Sequence, residues 1–168
     1  MNIDPHSPNL TIEQKLKVLR EVQRNFWYFI REVVRIPVAG SDIGGGKRYE
    51  LHLGNLSMNY LFLLNINQYA ELPRQHYKTI SACCLYLWAY STTNSEIMFM
   101  NITHDMSKLN LKRVKDLRDA LPQYLQFKVA YGKNNKPLKP LDNVESIHNA
   151  RNNNRIVTKA SATNLMKA

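Results

Sequence analysis

The stretch QYAELPRQHYKTISACCLYLWAYSTTNSEIMFMNI, residues 68–102, decides how the rest of the chain reads. QYAEL (68–72) is short, bounded by Pro73, and strand-like. KTISACCLYLWAYST (78–92) is a strongly apolar helix. EIMFMNI (96–102) is a continuous apolar run of the kind buried in a parallel sheet. Strand, loop, helix and strand, with Lys78-Thr79 opening the helix, is the setting of a phosphate-binding loop. There the backbone N–H groups and the helix N-terminus hold phosphate, a lysine reaches the β/γ oxygens and a Ser/Thr hydroxyl ligates Mg²⁺. The usual pattern G-x-x-x-x-G-K-[ST] places glycines where this chain has Leu72 and Tyr77. The alternative is an ordinary helix start. A lysine at the positive end of a helix dipole is unfavourable without an anion, so that alternative leaves Lys78 unexplained.

Downstream, DMSKLNLKRVKDLRDAL (105–121) is an amphipathic helix, with Asp105 or Ser107 as cap and Pro122 as stop. Residues 131–154, rich in Asn and Lys, read as a loop or weak hairpin, and RIVTKAS (155–161) as a strand. Upstream, Thr11 caps a helix over 11–36 in which Ile12, Leu16, Leu19, Phe26, Ile30 and Val33/Val34 recur at helical spacing. Pro37 stops it, and Asn25-Phe26 is a point where it could divide in two. The Gly44-Gly45-Gly46 run reads as a linker, and NLSMNYLFLLNIN (55–67) as a buried helix. The sum is an α/β chain with a parallel sheet.

Composition narrows the class. The chain has 168 residues, about one domain, and with 44% hydrophobic residues it can bury a core. No apolar run is long enough for a membrane span, and MNIDPHSPNL is not expected to be a signal peptide. Cys83 and Cys84 are adjacent inside a helix, as buried small hydrophobes of a reducing compartment would be, and they lack metal-site spacing. The net charge of +10 is uneven. Residues 1–50 hold eight Lys/Arg and six Asp/Glu, residues 51–100 two of each, and residues 101–168 thirteen and five. That excess points to an anionic partner such as nucleic acid, or to a solvated basic face; charge alone leaves both open.

LPRQHYKTISA (72–82) resembles the deviant Walker A motif of the large terminase subunit of tailed bacteriophages, the ATPase that packages DNA into proheads. That loop reads R-Q-x-G-K-[ST], and Arg74, Gln75, Lys78 and Thr79 match it. FIREVVRIP (29–37), LNIN (64–67) and RIVTKASAT (155–163) also resemble terminase ATPase sequence, so the likeness covers most of residues 25–168. The resemblance implies a P-loop NTPase three-layer α/β fold with a mainly parallel sheet, incomplete at its C-terminal side. Residues 1–54 would be a helical and linker region, and 55–168 a partial ATPase domain with its phosphate loop at 72–79.

By the same resemblance, ATP and Mg²⁺ are the cofactors. Pro73, Arg74, Gln75, His76, Tyr77, Lys78 and Thr79 line the nucleotide. Lys78 binds the β/γ-phosphates, Thr79 the Mg²⁺, Arg74 acts as a cis arginine finger on the γ-phosphate, and Asn55 contacts adenine. The implied partners are double-stranded DNA, a terminase small subunit and a portal protein, with possible homo-oligomers at full length. No membrane is involved, and the location is the host cytoplasm. Two departures stand out. Tyr77 fills the glycine position, where a side chain crowds the pyrophosphate. No apolar strand ending in Asp-Glu follows Thr79, and the family's nuclease domain is missing; SATNLMKA (161–168) resembles the segment just before Walker B. The chain is therefore expected to be inactive as an ATPase by itself. The rival expectations are a fragment of a helicase-like ATPase and a non-enzymatic basic nucleic-acid-binding module.

Overall fold

The computed structural model describes residues 3–37, 46–66, 71, 78–93, 96–101, 103–128, 142–149, 151–152 and 154–160. Apart from Glu71, the expected strand 68–72 and the loop residues Pro73, Arg74, Gln75, His76 and Tyr77 lie outside them.

Helix α1 (Ile12–Arg24) begins at a capping box: Thr11 Oγ1 accepts from Gln14 N, and Gln14 Oε1 accepts from Thr11 N. It divides where the sequence allowed. Asn25 N closes α1 on Glu21 O, while Asn25 Oδ1 accepts from Tyr28 N and starts α2 (Phe26–Tyr28). A π-helical turn, Phe29–Val33, follows, and the helical path ends there rather than at 36. Arg35–Ile36 forms strand β1, paired antiparallel with β2 (Lys47–Arg48). Val18, Val22, Phe26, Phe29, Ile30 and Val33 are buried, whereas Ile12 and Leu16 of the expected stripe are exposed. Gly46 is structural: a Cβ there would sit 2.5 Å from Ile36 O.

Helix α3 (Leu53–Leu63) corrects an expectation. It is not buried but turned inside out, with Asn55 and Asn59 buried and Leu53, Leu56 and Tyr60 exposed. Its apolar residues surround the axis, so periodicity gave no orientation. Asn55 settles it by capping the helix from within, accepting from His52 N (2.7 Å) and donating to Glu50 O (3.1 Å).

Helix α4 (Lys78–Thr92), strand β3 (Glu96–Asn101) and helix α5 (His104–Asp119) lie close to their expected bounds. The cap of α5 is Thr103, whose side chain accepts from Met106 N, and not Asp105 or Ser107. Strands β4 (Ser146–His148) and β5 (Arg155–Ala160) complete the main sheet, in the order β3-β5-β4. β3 runs parallel to β5, with Ile97 opposite Ile156 and Phe99 opposite Thr158. β4 runs antiparallel to β5, with Ile147 opposite Ile156. Among the described residues the fold is thus mixed α/β, with a small three-stranded sheet of one parallel and one antiparallel pair.

Phe99 meets Tyr86 of α4 edge-to-face at 5.0 Å, and Thr158 meets His104 of α5. Both helices therefore cover the face that carries Ile156 and Phe99. Successive residues of a strand point to opposite faces, and on the other face Met98 and Met100 are exposed. Trp88 Nε1 donates to Val22 O (2.8 Å) and its ring packs on Phe26, tying the N-terminal helices to α4.

The direction of α4 follows from its two ends. Its last turn receives the amides of Asn149, Asn152 and Asn154, just before β5 begins, and Arg155 pairs with Glu96 at the start of β3. The C-terminus of α4 thus sits at the amino ends of the parallel strands, and its N-terminus at their carboxyl ends.

Candidate functional site

At the carboxyl end of β3, a groove of about 430 Å³ opens between that strand and the first turns of α4. Lys78, Thr79 and Cys83 line one side, Met100 and Asn101 the other, with Asn110 of α5 at the boundary. In open α/β folds ligands bind outside the carboxyl ends of the strands, and a helix N-terminus there favours anions. The position of Lys78 and Thr79, inferred from sequence spacing, coincides with such a place.

Thr79 is exposed. Elsewhere in the helices Ser57, Ser91, Thr92 and Thr93 each donate their hydroxyl to the carbonyl four residues back. Thr79 has no such carbonyl within α4 because it lies in the first turn, and its hydroxyl has no hydrogen-bond partner among the described residues. Cys83 is not a nucleophile in this groove. Burial pushes its thiol up to about 11, so it is protonated at neutral pH. Cys84 is buried and raised further by burial.

Asn55, expected beside adenine, is not among the groove residues. Both atoms of its amide are engaged, in the bonds to His52 N and Glu50 O that cap α3. It sits in a buried polar layer under α4 with Tyr49, whose hydroxyl bonds to Ser81 Oγ and is pushed up to about 12 by burial.

Asn101 is a groove residue that sequence reasoning passed over. The signal was available: a polar side chain closing an apolar strand run. Its Nδ2 donates to Ser107 Oγ (3.2 Å), and Ser107 Oγ donates to Lys159 O (2.9 Å).

A second cleft, of about 780 Å³, separates the N-terminal arm from the end of α5. Its charged groups are already engaged: Lys15 lies over the Tyr124 ring, and Asp119 pairs with Arg118 and Lys128.

Several described cations of the last third are ion-paired, mostly with acids of the same segment, so its excess of thirteen Lys/Arg over five Asp/Glu stands. Lys108 pairs with Glu145, Lys112 with Asp116, Arg118 with Asp142, Lys128 with Asp119 and Arg155 with Glu96. Among the described residues no three of His, Cys, Asp and Glu cluster as a metal site, and no helix is long and apolar enough to cross a membrane. No protein-family model and no curated protein sequence matches the chain.

Proposed function

We propose that the chain is the N-terminal, ATP-binding part of a terminase large subunit, with the three-layer P-loop fold of that family. One observation carries the reading: Lys78 and Thr79 open the first turn of α4 beside the carboxyl end of β3, on the wall of a groove. There the Lys78 ammonium meets β/γ-phosphate oxygens, the residues Pro73 to Tyr77 wrap the phosphates, and Arg74 adds positive charge at the γ-phosphate. Thr79 and Asn101 give the groove neutral oxygen donors, which fit Mg²⁺. That ion prefers oxygen and is commonly held by few protein groups plus substrate phosphates. When bound, it neutralises charge on the β- and γ-oxygens.

No apolar strand ending in Asp-Glu follows Thr79 in the sequence, so on this reading the chain binds ATP without turning it over. In the longer enzyme the same loop couples ATP hydrolysis to translocation of double-stranded DNA, with a small subunit and a portal as partners in the host cytoplasm. The rival reading, a basic nucleic-acid-binding module, rests on the net basic excess of residues 101–168, which the ion pairs leave in place.

Titration calorimetry with Mg·ATP tests the reading. Measurable binding by the wild-type chain, lost in Lys78→Ala, is expected. Absence of binding at millimolar ATP, or equal binding by Lys78→Ala, overturns it.

A further inference from the structure

The wall of the groove opposite Lys78 and Thr79 contains one side chain of fixed orientation. Asn101 ends β3, and its Nδ2 is spent on Ser107 Oγ. Ser107 is fully buried, and its hydroxyl is in turn committed to Lys159 O in β5. The carboxamide cannot turn without breaking this chain. Its Oδ1 is left as an acceptor, and no described residue donates to it. Across the groove the Thr79 hydroxyl is also unused. Two residues that carry neutral oxygens, on separate elements, thus line one groove together with Lys78. Without a carboxylate they bind a bare divalent cation poorly. They suit a hydrated cation that arrives with its own anionic ligands, as Mg²⁺ does on a nucleotide.

We propose that Asn101 is a positioning residue for the magnesium of Mg·ATP, its Oδ1 accepting a hydrogen bond from a water of the ion's hydration shell. The proposal rests on the nucleotide reading above. It also explains the choice of residue. An aspartate at 101 would attract Mg²⁺ in the absence of nucleotide, whereas an asparagine makes cation binding conditional on phosphate. Ser107 acts through Asn101, by keeping Oδ1 rather than Nδ2 turned to the groove.

The test measures ATP affinity of the full chain by calorimetry over a series of free Mg²⁺ concentrations and in excess EDTA. Outer-sphere partners of a metal commonly contribute about tenfold or more to its affinity. Asn101→Leu should therefore weaken Mg·ATP binding about tenfold, and leave EDTA affinity unchanged. Asn101→Asp should lower the Mg²⁺ concentration needed for half-maximal binding, and Ser107→Ala should raise it. An Asn101→Leu effect of equal size with and without Mg²⁺, or no effect, overturns the proposal while ATP binding sensitive to Lys78→Ala leaves the nucleotide reading standing. Loss of all ATP binding in the wild type removes both. If Asn101→Leu does not fold, as judged by thermal melting, Asn101→Asp decides: an unchanged Mg²⁺ midpoint overturns the proposal.

Discussion

The two ends of α4 are built in opposite ways. At the C-terminal end three asparagine amides are turned on the helix. Asn154 Nδ2 donates to Ala89 O and Tyr90 O and bonds to Thr93 O, while Asn149 and Asn152 add donors to Tyr90 O and Thr93 O. Tyr90 Oη donates to His148 O (2.6 Å), and Arg118, almost wholly buried, reaches Asp142 at 2.6 Å close by. At the N-terminal end, among the described residues, neither the Thr79 hydroxyl nor Asn101 Oδ1 has a hydrogen-bond partner, and both residues line a groove. A helix end needs its orphan backbone groups satisfied. Where the chain spends asparagines to do so, the end is structural. Where it leaves oxygen acceptors facing a groove, the end is available to a ligand. One end of α4 should therefore govern stability and the other affinity.

The largest expected effect is at the structural end. Arg118→Ala leaves the partly exposed Asp142 without its partner, and losing hydrogen bonds between charged groups costs about 1.5–3 kcal/mol. Urea unfolding, followed by the fluorescence of Trp27 and Trp88, reads this loss. Asn154→Ala removes one donor each from the carbonyls of Ala89, Tyr90 and Thr93, which keep others, and should cost about 0.5–1.5 kcal/mol in the same assay. Neither change should alter nucleotide affinity under conditions where the variant stays folded. Reduced affinity in folded Asn154→Ala would erase the division between the ends.

A smaller effect is expected from pH. His6 Nε2 bonds to Val33 O, fixing the N-terminal arm to the π-helical turn. Burial, helped by Arg35 and Arg48, lowers the His6 pKa below 6.5. The folded state then binds the proton less readily than the unfolded chain. The His6 contribution is fully present above 6.5 and is lost as pH falls from there through the lowered folded value. Urea midpoints measured down this window should fall more in the wild type than in His6→Gln. Identical pH profiles would show that the arm does not report on His6. The smallest effect belongs to the ligand end. Thr79→Val, on an exposed site, should change stability by under about 0.5 kcal/mol. A loss comparable to that of Asn154→Ala would make this end structural too.

How much of this was legible follows the same division. The bounds of α4, β3 and β5 came through because long apolar runs bracketed by polar residues are local signals. The cap of α5 did not, because Thr103, Asp105 and Ser107 are all capable residues. Only the structure shows Thr103 reaching Met106 N while Ser107 turns inward to Lys159 O. The Asn-rich stretch 131–154 read as a loop or weak hairpin. Its asparagines instead cap a helix some sixty positions away, and no local pattern encodes such a contact: the bond from Asn154 to Tyr90 spans a separation of 64 residues. The orientation of α3 was hidden for a related reason, since a buried asparagine that caps its own helix overrides the apolar stripe. Asn101 was missed because a single polar residue after a strand is common, and its meaning depends on the groove across from it.

The remote capping of α4 also bears on how the chain is made. The helix is complete at Thr92, yet the amides that close its last turn belong to residues 149, 152 and 154, and β5, which pairs with β3, ends at Ala160. At about 5–20 residues per second, several seconds of synthesis separate the helix from its cap. During that interval the last turn of α4 is free to fray and β3 lacks its parallel neighbour. The nascent chain therefore exposes the unpaired edge of β3 and the uncapped last turn of α4 together, until β5 and the asparagines before it leave the ribosome and satisfy both.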